Sequence, residues 1–316
     1  MRILITDGNE RAALAAARSL VRAGHSVGVT ADSRASLAGV SRGVRPHPLT
    51  TDPLTHPADY AAELASITRQ HGTTVLLPMT DASLEAVLEH RRALPTGVVL
   101  PFPDLAIYRA ASDKGRLLTL AHDCGFGVPE TRTIATPRDC DVTLPEDFFP
   151  AVVKPHRSVV TAAGIRRKLT VTPVANAVEC RRALAALPAA AFPVLVQRRV
   201  SGFGEGLFAL RWGGRTIAMF AHRRLREKPP SGGVSTYRES IPLDERLAGP
   251  GLRLLDALDW QGVAMIECKR EPETGRGRDG DQRSVLGLAA IGDRLRRRLP
   301  SAARSLRRRG ERPRAP

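Results

Sequence analysis

The sequence is poor in cysteine, and Cys124, Cys140, Cys180 and Cys268 stand far apart with no CxxC pair. That spacing argues against a disulfide framework or a cysteine zinc site and reads as reduced thiols. No apolar run approaches the roughly 20 residues of a membrane span. The opening Met1–Thr6 is too short for a signal-peptide core and leads straight into a glycine turn. It predicts a first β-strand in a cytoplasmic protein. Gly8 is the only glycine in that turn, so there is no GxGxxG fingerprint, which argues against a dinucleotide site there.

Acidic residues are also few, and the net charge is +16. A basic excess of this size suggests nucleic acid, but its distribution does not. Residues 276–316 hold 13 arginines against four acids, a net of +9, leaving +7 for residues 1–275. The excess belongs to the tail, where a solvated charge run is the plainer reading.

What is present is a soluble composition, 42% hydrophobic and 25% charged, long enough at 316 residues for two or three domains. Residues 2–6 predict a strand, Asp7-Gly8-Asn9 a turn with Asn9 as N-cap, and 10–23 a helix on the spacing Ala13, Leu14, Ala17, Leu20, Val21. Gly24 closes that helix and Ser26–Thr30 is a second strand. The unit recurs as helix 58–70, strand Thr74–Leu77, helix 81–93 and strand Val98–Leu100. Residues 1 to about 105 therefore read as a Rossmann-like parallel domain. A helix from Ser112 follows, then strand Ala151–Lys154, a small-residue loop 157–164 and a strand 165–172. A helix capped by Asn176 and strand Val194–Gln197 come next. A hairpin turning at Gly213-Gly214, a helix 244–258 and strand Gly262–Lys269 complete the pattern. The fold class expected is α/β plus α+β, with a cleft between two lobes. The expected boundaries are 1–105 for the first domain, 106–190 and 191–275 for the lobes, and 276–316 for a disordered tail.

Several residues carry candidate chemistry. Lys154 ends an apolar strand before a small-residue loop, where an ammonium can meet a phosphate; an ordinary strand-end lysine fits as well. Val194–Gly202 turns from apolar to polar, as an adenine hinge does, with Val196 and Val200 packed on the base; a buried strand and exit loop is the alternative. Glu205, between Gly204 and Gly206, could accept ribose hydroxyls or be a turn carboxylate. Alternation puts Arg224 and Arg226 on one strand face, a pair suited to an anion or to a solvated edge. Ser231-Gly232-Gly233 offers backbone N–H groups to the same anion. Glu267 is a carboxylate in an apolar strand, explained by a hard cation or by a cross-sheet ion pair.

Taken in order, Ser112-Asp113-Lys114, Val153-Lys154-Pro155, Val196-Gln197, Gly204-Glu205-Gly206, Arg224-Leu225-Arg226-Glu227 and Ile266-Glu267-Cys268-Lys269 resemble the ATP-grasp superfamily, nearest its carbamoyl-phosphate-synthase-like members. The resemblance covers residues 1 to about 275. It implies that Lys114 and Lys154 hold phosphates and that Gln197, Arg198, Arg199 and Val200 form the adenine hinge. It also implies that Glu205 binds nucleotide, that Arg224 and Arg226 face phosphates or substrate, and that Glu267 ligates Mg²⁺. The expected activity is an ATP-dependent ligase joining a small-molecule carboxylate to an amine or thiol, with no membrane and no nucleic acid involved.

Family members continue with a second metal strand, Glu-Ile-Asn, then Arg-Phe-Trp-Gly-Ser-Leu; the tail here is arginine-rich instead. A shifted reading frame accounts for the departure. Synonymous codons for Gly280–Ala289, regrouped by one base, encode Glu-Ile-Asn-Ala-Arg-Phe-Trp-Gly-Ser-Leu. The expectation is a ligase plan with its second metal strand missing, and hence an impaired descendant of an active enzyme.

Overall fold

A computed structural model describes residues 1–49, 51–156, 159–162, 165–228, 234–270 and 283–289. Arg276 to Gln282, most of the arginine-rich tail and the Ser231-Gly232-Gly233 turn lie outside the described residues.

The first domain is built as its hydrophobic periodicity dictates. Strand β1 (Arg2–Ile5), helix α1 (Arg11–Arg22) and strand β2 (Ser26–Ala31) open it, followed by β3 (Val44–Pro48), α2 (Pro57–His71), β4 (Val75–Leu77) and α3 (Asp81–Glu89). The four strands form a parallel sheet in the order β3-β2-β1-β4. Strand β3 was not anticipated because it contains Pro46 and Pro48, and prolines fit a sheet only at its edge, where β3 lies. The expected strand at 98–100 reduces to a single bridge, Val75 to Val99. Asn9 is not the N-cap of α1. Its side chain bonds Asp32 and the Leu37 N–H, and Glu10 takes the cap position without a side-chain capping bond to the helix.

Two helices lead out of this domain, α4 (Leu105–Ser112) and α5 (Lys114–Asp123). Asp113 separates them and caps α5 by accepting from the Arg116 N–H at 3.1 Å. Lobe A follows: β5 (Thr131–Ile134), β6 (Ala151–Pro155), the hairpin β7 (Val159–Ala162) and β8 (Ile165–Lys168), β9 (Thr172–Val174), α6 (Ala177–Ala185) and β10 (Val194–Arg198). Asn176 caps α6, as its position implies. The lobe A sheet runs β5-β10-β6-β9, so β10 is a central strand of this lobe and the chain leaves it after 198, later than the boundary expected at 190.

Lobe B contains β11 (Phe203–Trp212), β12 (Arg215–Lys228), β13 (Val234–Ile241), α7 (Glu245–Ala257), β14 (Gly262–Arg270) and β15 (Arg283–Ala289), with sheet order β13-β12-β11-β14-β15. Strand β15 corrects the picture of a wholly disordered tail, since it pairs antiparallel with β14 and sets Gly287 across from Glu267. Among the described residues no helix is long and apolar enough to cross a membrane.

The cores divide the molecule differently from the chain order. One continuous core runs from Ile5 and Ala13 through Tyr108 and Leu117 to Leu207, Leu254 and Ile266, joining the first domain, α4–α5 and lobe B. Lobe A has a core of its own around Phe148, Val153, Leu184 and Val196. Two contacts tighten the larger body. The Arg253 guanidinium on α7 donates twice to the Cys124 carbonyl, at 3.1 and 2.9 Å. The Val263 N–H donates to the Pro101 carbonyl at 3.0 Å. That approach requires Gly262, whose φ is +88° and whose added Cβ would lie 2.0 Å from the Pro101 oxygen.

Candidate functional site

Strand alternation decides which side chains reach the cleft. In β10, Val194 and Val196 enter the lobe A core, so Gln197 takes the opposite face. Val196 therefore does not pack on a ligand, contrary to the sequence reading. Lys154, near Gln197 across β6–β10, has 9% of its surface exposed and donates to Gln197 Oε1 at 2.6 Å. Gln197 Nε2 in turn donates to Thr131 Oγ1 at 3.0 Å. This chain locks Lys154 at the lobe's inner face. Burial, with Lys114 adding repulsion and Glu267 opposing it, pushes the Lys154 ammonium down to about 8.

Lys114 reaches the same place from the start of α5. Its Nζ donates to the His156 carbonyl at 3.4 Å. Burial lowers its pKa, while Asp81 and then Asp113 act to raise it. Asp81 begins α3, so the first domain presents a carboxylate to this lysine.

Lobe B supplies the other side. In β11, Gly206 lies opposite Glu267, and an added Cβ on Gly204 would meet Arg224 Cδ at 2.7 Å and Glu227 Oε1 at 3.1 Å. The absence of side chains there leaves room for Arg224 to lie flat across the sheet. Arg224 is 6% exposed. Its Nη1 donates to Glu227 Oε1 at 3.0 Å, and its Nη2 stands 2.8 Å from Glu267 Oε1 without the alignment of a hydrogen bond. Its buried Nε bonds nothing among the described residues.

Lys114, Lys154, Gln197, Arg224 and Glu267 are thus brought toward one cleft. Arg226 is not. Register shifts on either side of it break the alternation of β12 against β13, leaving Arg226 exposed and Glu227 beside Arg224. Glu205 is also misplaced relative to expectation. It pairs across with Cys268, whose side chain lies in the core against α7, so it is on the sheet face opposite Glu267. There it is fully buried, 3.8 Å from the Arg270 guanidinium. Arg198 and Arg199 extend exposed side chains, and their N–H groups donate to the carbonyls of Glu130 and Pro150, both at 2.9 Å. Val200 follows them, half-buried, with an N–H that bonds no described residue.

Sequence reasoning assigned no role to Thr131, Asp81 or Glu227. Only Glu227 carried a signal, as a carboxylate among three arginines and a lysine in residues 223–228.

No protein-family model and no curated protein matches the chain. Solved structures do. An L-amino acid ligase from Bacillus licheniformis is 14% identical at a TM-score of 0.64, covering 92% of this chain and 66% of its own. A biotin carboxylase from Campylobacter jejuni, solved with a β,γ-ATP ligand, is 12% identical at 0.66, with 92% and 65% covered. A D-alanine–D-alanine ligase from Bacillus anthracis complexed with ATP is 15% identical at 0.55, with 97% and 91% covered. This chain spans about two thirds of the first two proteins. The likeness gives the fold: the chain has the ATP-grasp architecture, a Rossmann-like domain followed by two lobes.

Proposed function

We propose that this chain is an ATP-binding protein on the plan of an ATP-dependent carboxylate–amine ligase working through an acyl phosphate. The observation that carries the reading is the convergence of Lys154, Lys114 and Arg224. Lys154 is pressed to about 8 by burial beside a second lysine, and Arg224 keeps a buried Nε without a partner among the described residues. Three cations converging on one cleft suit an anion of several charges, and a polyphosphate supplies one.

In this reading the Val200 N–H and the carbonyl of Arg198 read the base edge, and Lys114 and Lys154 grip the phosphates. Glu267 fits a hard cation, being a 27%-exposed carboxylate facing the cleft. Mg²⁺ held there would neutralise charge on the β- and γ-phosphates. Arg224 would stabilise the transferring phosphoryl group in this reading. A carboxylate oxygen attacks the γ-phosphorus, the bond to the β–γ bridging oxygen breaks, and ADP leaves with the electron pair. An amine then attacks the acyl carbon, loses its proton and expels phosphate. Calorimetric titration with a non-hydrolysable ATP analogue tests the first claim; trapping a carboxylate as its hydroxamate with hydroxylamine tests the acyl phosphate. Absence of analogue binding in the folded protein sinks the reading.

A second reading is a catalytically impaired remnant. It is favoured by β15, whose sequence Arg283–Ala289 contains no Asp or Glu beside Glu267, as a frame shift before this strand implies. Restoring the alternative frame from codon 280 separates the two readings. ATP turnover in the restored chain alone supports the remnant, whereas equal turnover in both chains removes it.

A further inference from the structure

We infer that Glu227 and Glu267 form a two-carboxylate site for a divalent cation, kept closed in the free protein by the Arg224 guanidinium standing between them. The inference rests on the nucleotide reading above but adds Glu227, a residue to which that reading gives no role.

Glu227 reaches the cleft through the irregularity of β12. Strict alternation from Arg224 would send it to the other face, but the register shifts flanking Arg226 return it beside Arg224. Glu227 and Glu267 are partly buried, with 12% and 27% of their side chains exposed, and each has one oxygen turned to the same guanidinium, at 3.0 and 2.8 Å. The guanidinium occupies the point where their negative potential is greatest, as a metal cation would.

Arg224 leaves part of its donor capacity unused at that point. Its Nη2 faces Glu267 at short range but out of line, and its Nε, buried on a residue 94% removed from solvent, bonds nothing described. A guanidinium with spare buried donors is poised to move to an incoming polyphosphate. Its departure would leave two carboxylates around an oxygen-lined position. Mg²⁺ and Mn²⁺ suit such a site, taking one or two carboxylates and completing their shell with phosphate oxygens and water. Strand β15 contains no carboxylate, so among the described residues it is Glu227 that stands with Glu267 at Arg224.

The test is Mn²⁺ binding to the full chain without nucleotide, followed by paramagnetic resonance of free Mn²⁺. Removal of the competing cation in Arg224→Gln should tighten Mn²⁺ at least about tenfold, and Arg224→Gln/Glu227→Gln should lose that gain, in the range of ~10–100-fold effects of changes around metal sites. If the double variant binds as tightly as Arg224→Gln, Glu227 is not a ligand and the inference is overturned. Should Arg224→Gln fail to fold, Glu227→Gln in the unaltered background is measured with Mn²⁺ and ATP together. There an unchanged Mn²⁺ affinity overturns the inference and about a tenfold loss supports it. Nucleotide affinity measured with a fluorescent ATP analogue is a separate readout. Its failure sinks the ligase reading while leaving the nucleotide-free Mn²⁺ pattern to be judged alone.

Discussion

Lys154 concentrates the energetics of the cleft in one side chain. Its ammonium is held by Gln197 and pressed to about 8. Between about 8 and 10.5 the unfolded chain binds more protons at this residue than the native one, so its contribution to stability rises with pH across that window. Anion affinity moves the other way, because the neutral amine no longer attracts phosphate. Titration of an ATP analogue at pH 9 should show proton uptake, visible as a dependence of heat on buffer, which is much smaller at pH 7. Lys154→Met should weaken the analogue about 10–100-fold, the worth of one charge-assisted bond. The first domain holds a second titrating residue. His47 and His71 meet edge to face at 5.3 Å, each with a buried Nε2 that bonds nothing described. Burial, with His71 and Arg45 adding repulsion, lowers His47 to about 4. A lowered histidine makes stability fall as pH drops from 6.5 toward 4. His47→Asn should remove on the order of 1 kcal/mol of that acid sensitivity, discounted for solvent around a half-exposed ring, as read from urea unfolding at pH 7 and 5.

At the scale of elements, the starts of β14 and α5 carry the next predictions. Gly262→Ala places a methyl against the Pro101 carbonyl in a left-handed conformation. It should cost about 3 kcal/mol, or prevent folding, and denaturant unfolding checks it. Asp113→Ala removes the α5 cap just before Lys114. It should cost about 1 kcal/mol and also weaken the ATP analogue, since Lys114 is the next residue. Elements with strong periodicity were legible in the sequence: α1, α2, α7 and the β11–β12 hairpin stand where their patterns put them. Lys154 and Glu267 were legible as charges placed in apolar strands. Glu205 was misjudged although the evidence lay in alternation, since Leu207 and Ala209 two and four residues on are core positions. Arg226 and Glu227 could not be sorted from the sequence, because a register shift comes from pairing with β13 and leaves no local pattern. Strand β3 was hidden by its prolines, and α4 by its short length of 8 residues beside a better-marked α5.

For the molecule as a whole, the cleft lies between bodies with separate cores. One side is lobe A; the other is the first domain, α4–α5 and lobe B, which share apolar packing. The first domain's Asp81 acts on Lys114, so the loops at the ends of β1 and β4 sit close to the cleft lysine. Asp7 braces those loops, accepting from Ser83 Oγ at 2.6 Å and from the Met79 N–H at 3.0 Å. The seam at Gly262 and Pro101 gives this division a calorimetric consequence. A chain with three structural domains should melt in two heat-absorption peaks, because the first domain and lobe B cannot part without exposing their common core. An ATP analogue gripping both sides should draw the lobe A peak upward until the two coincide.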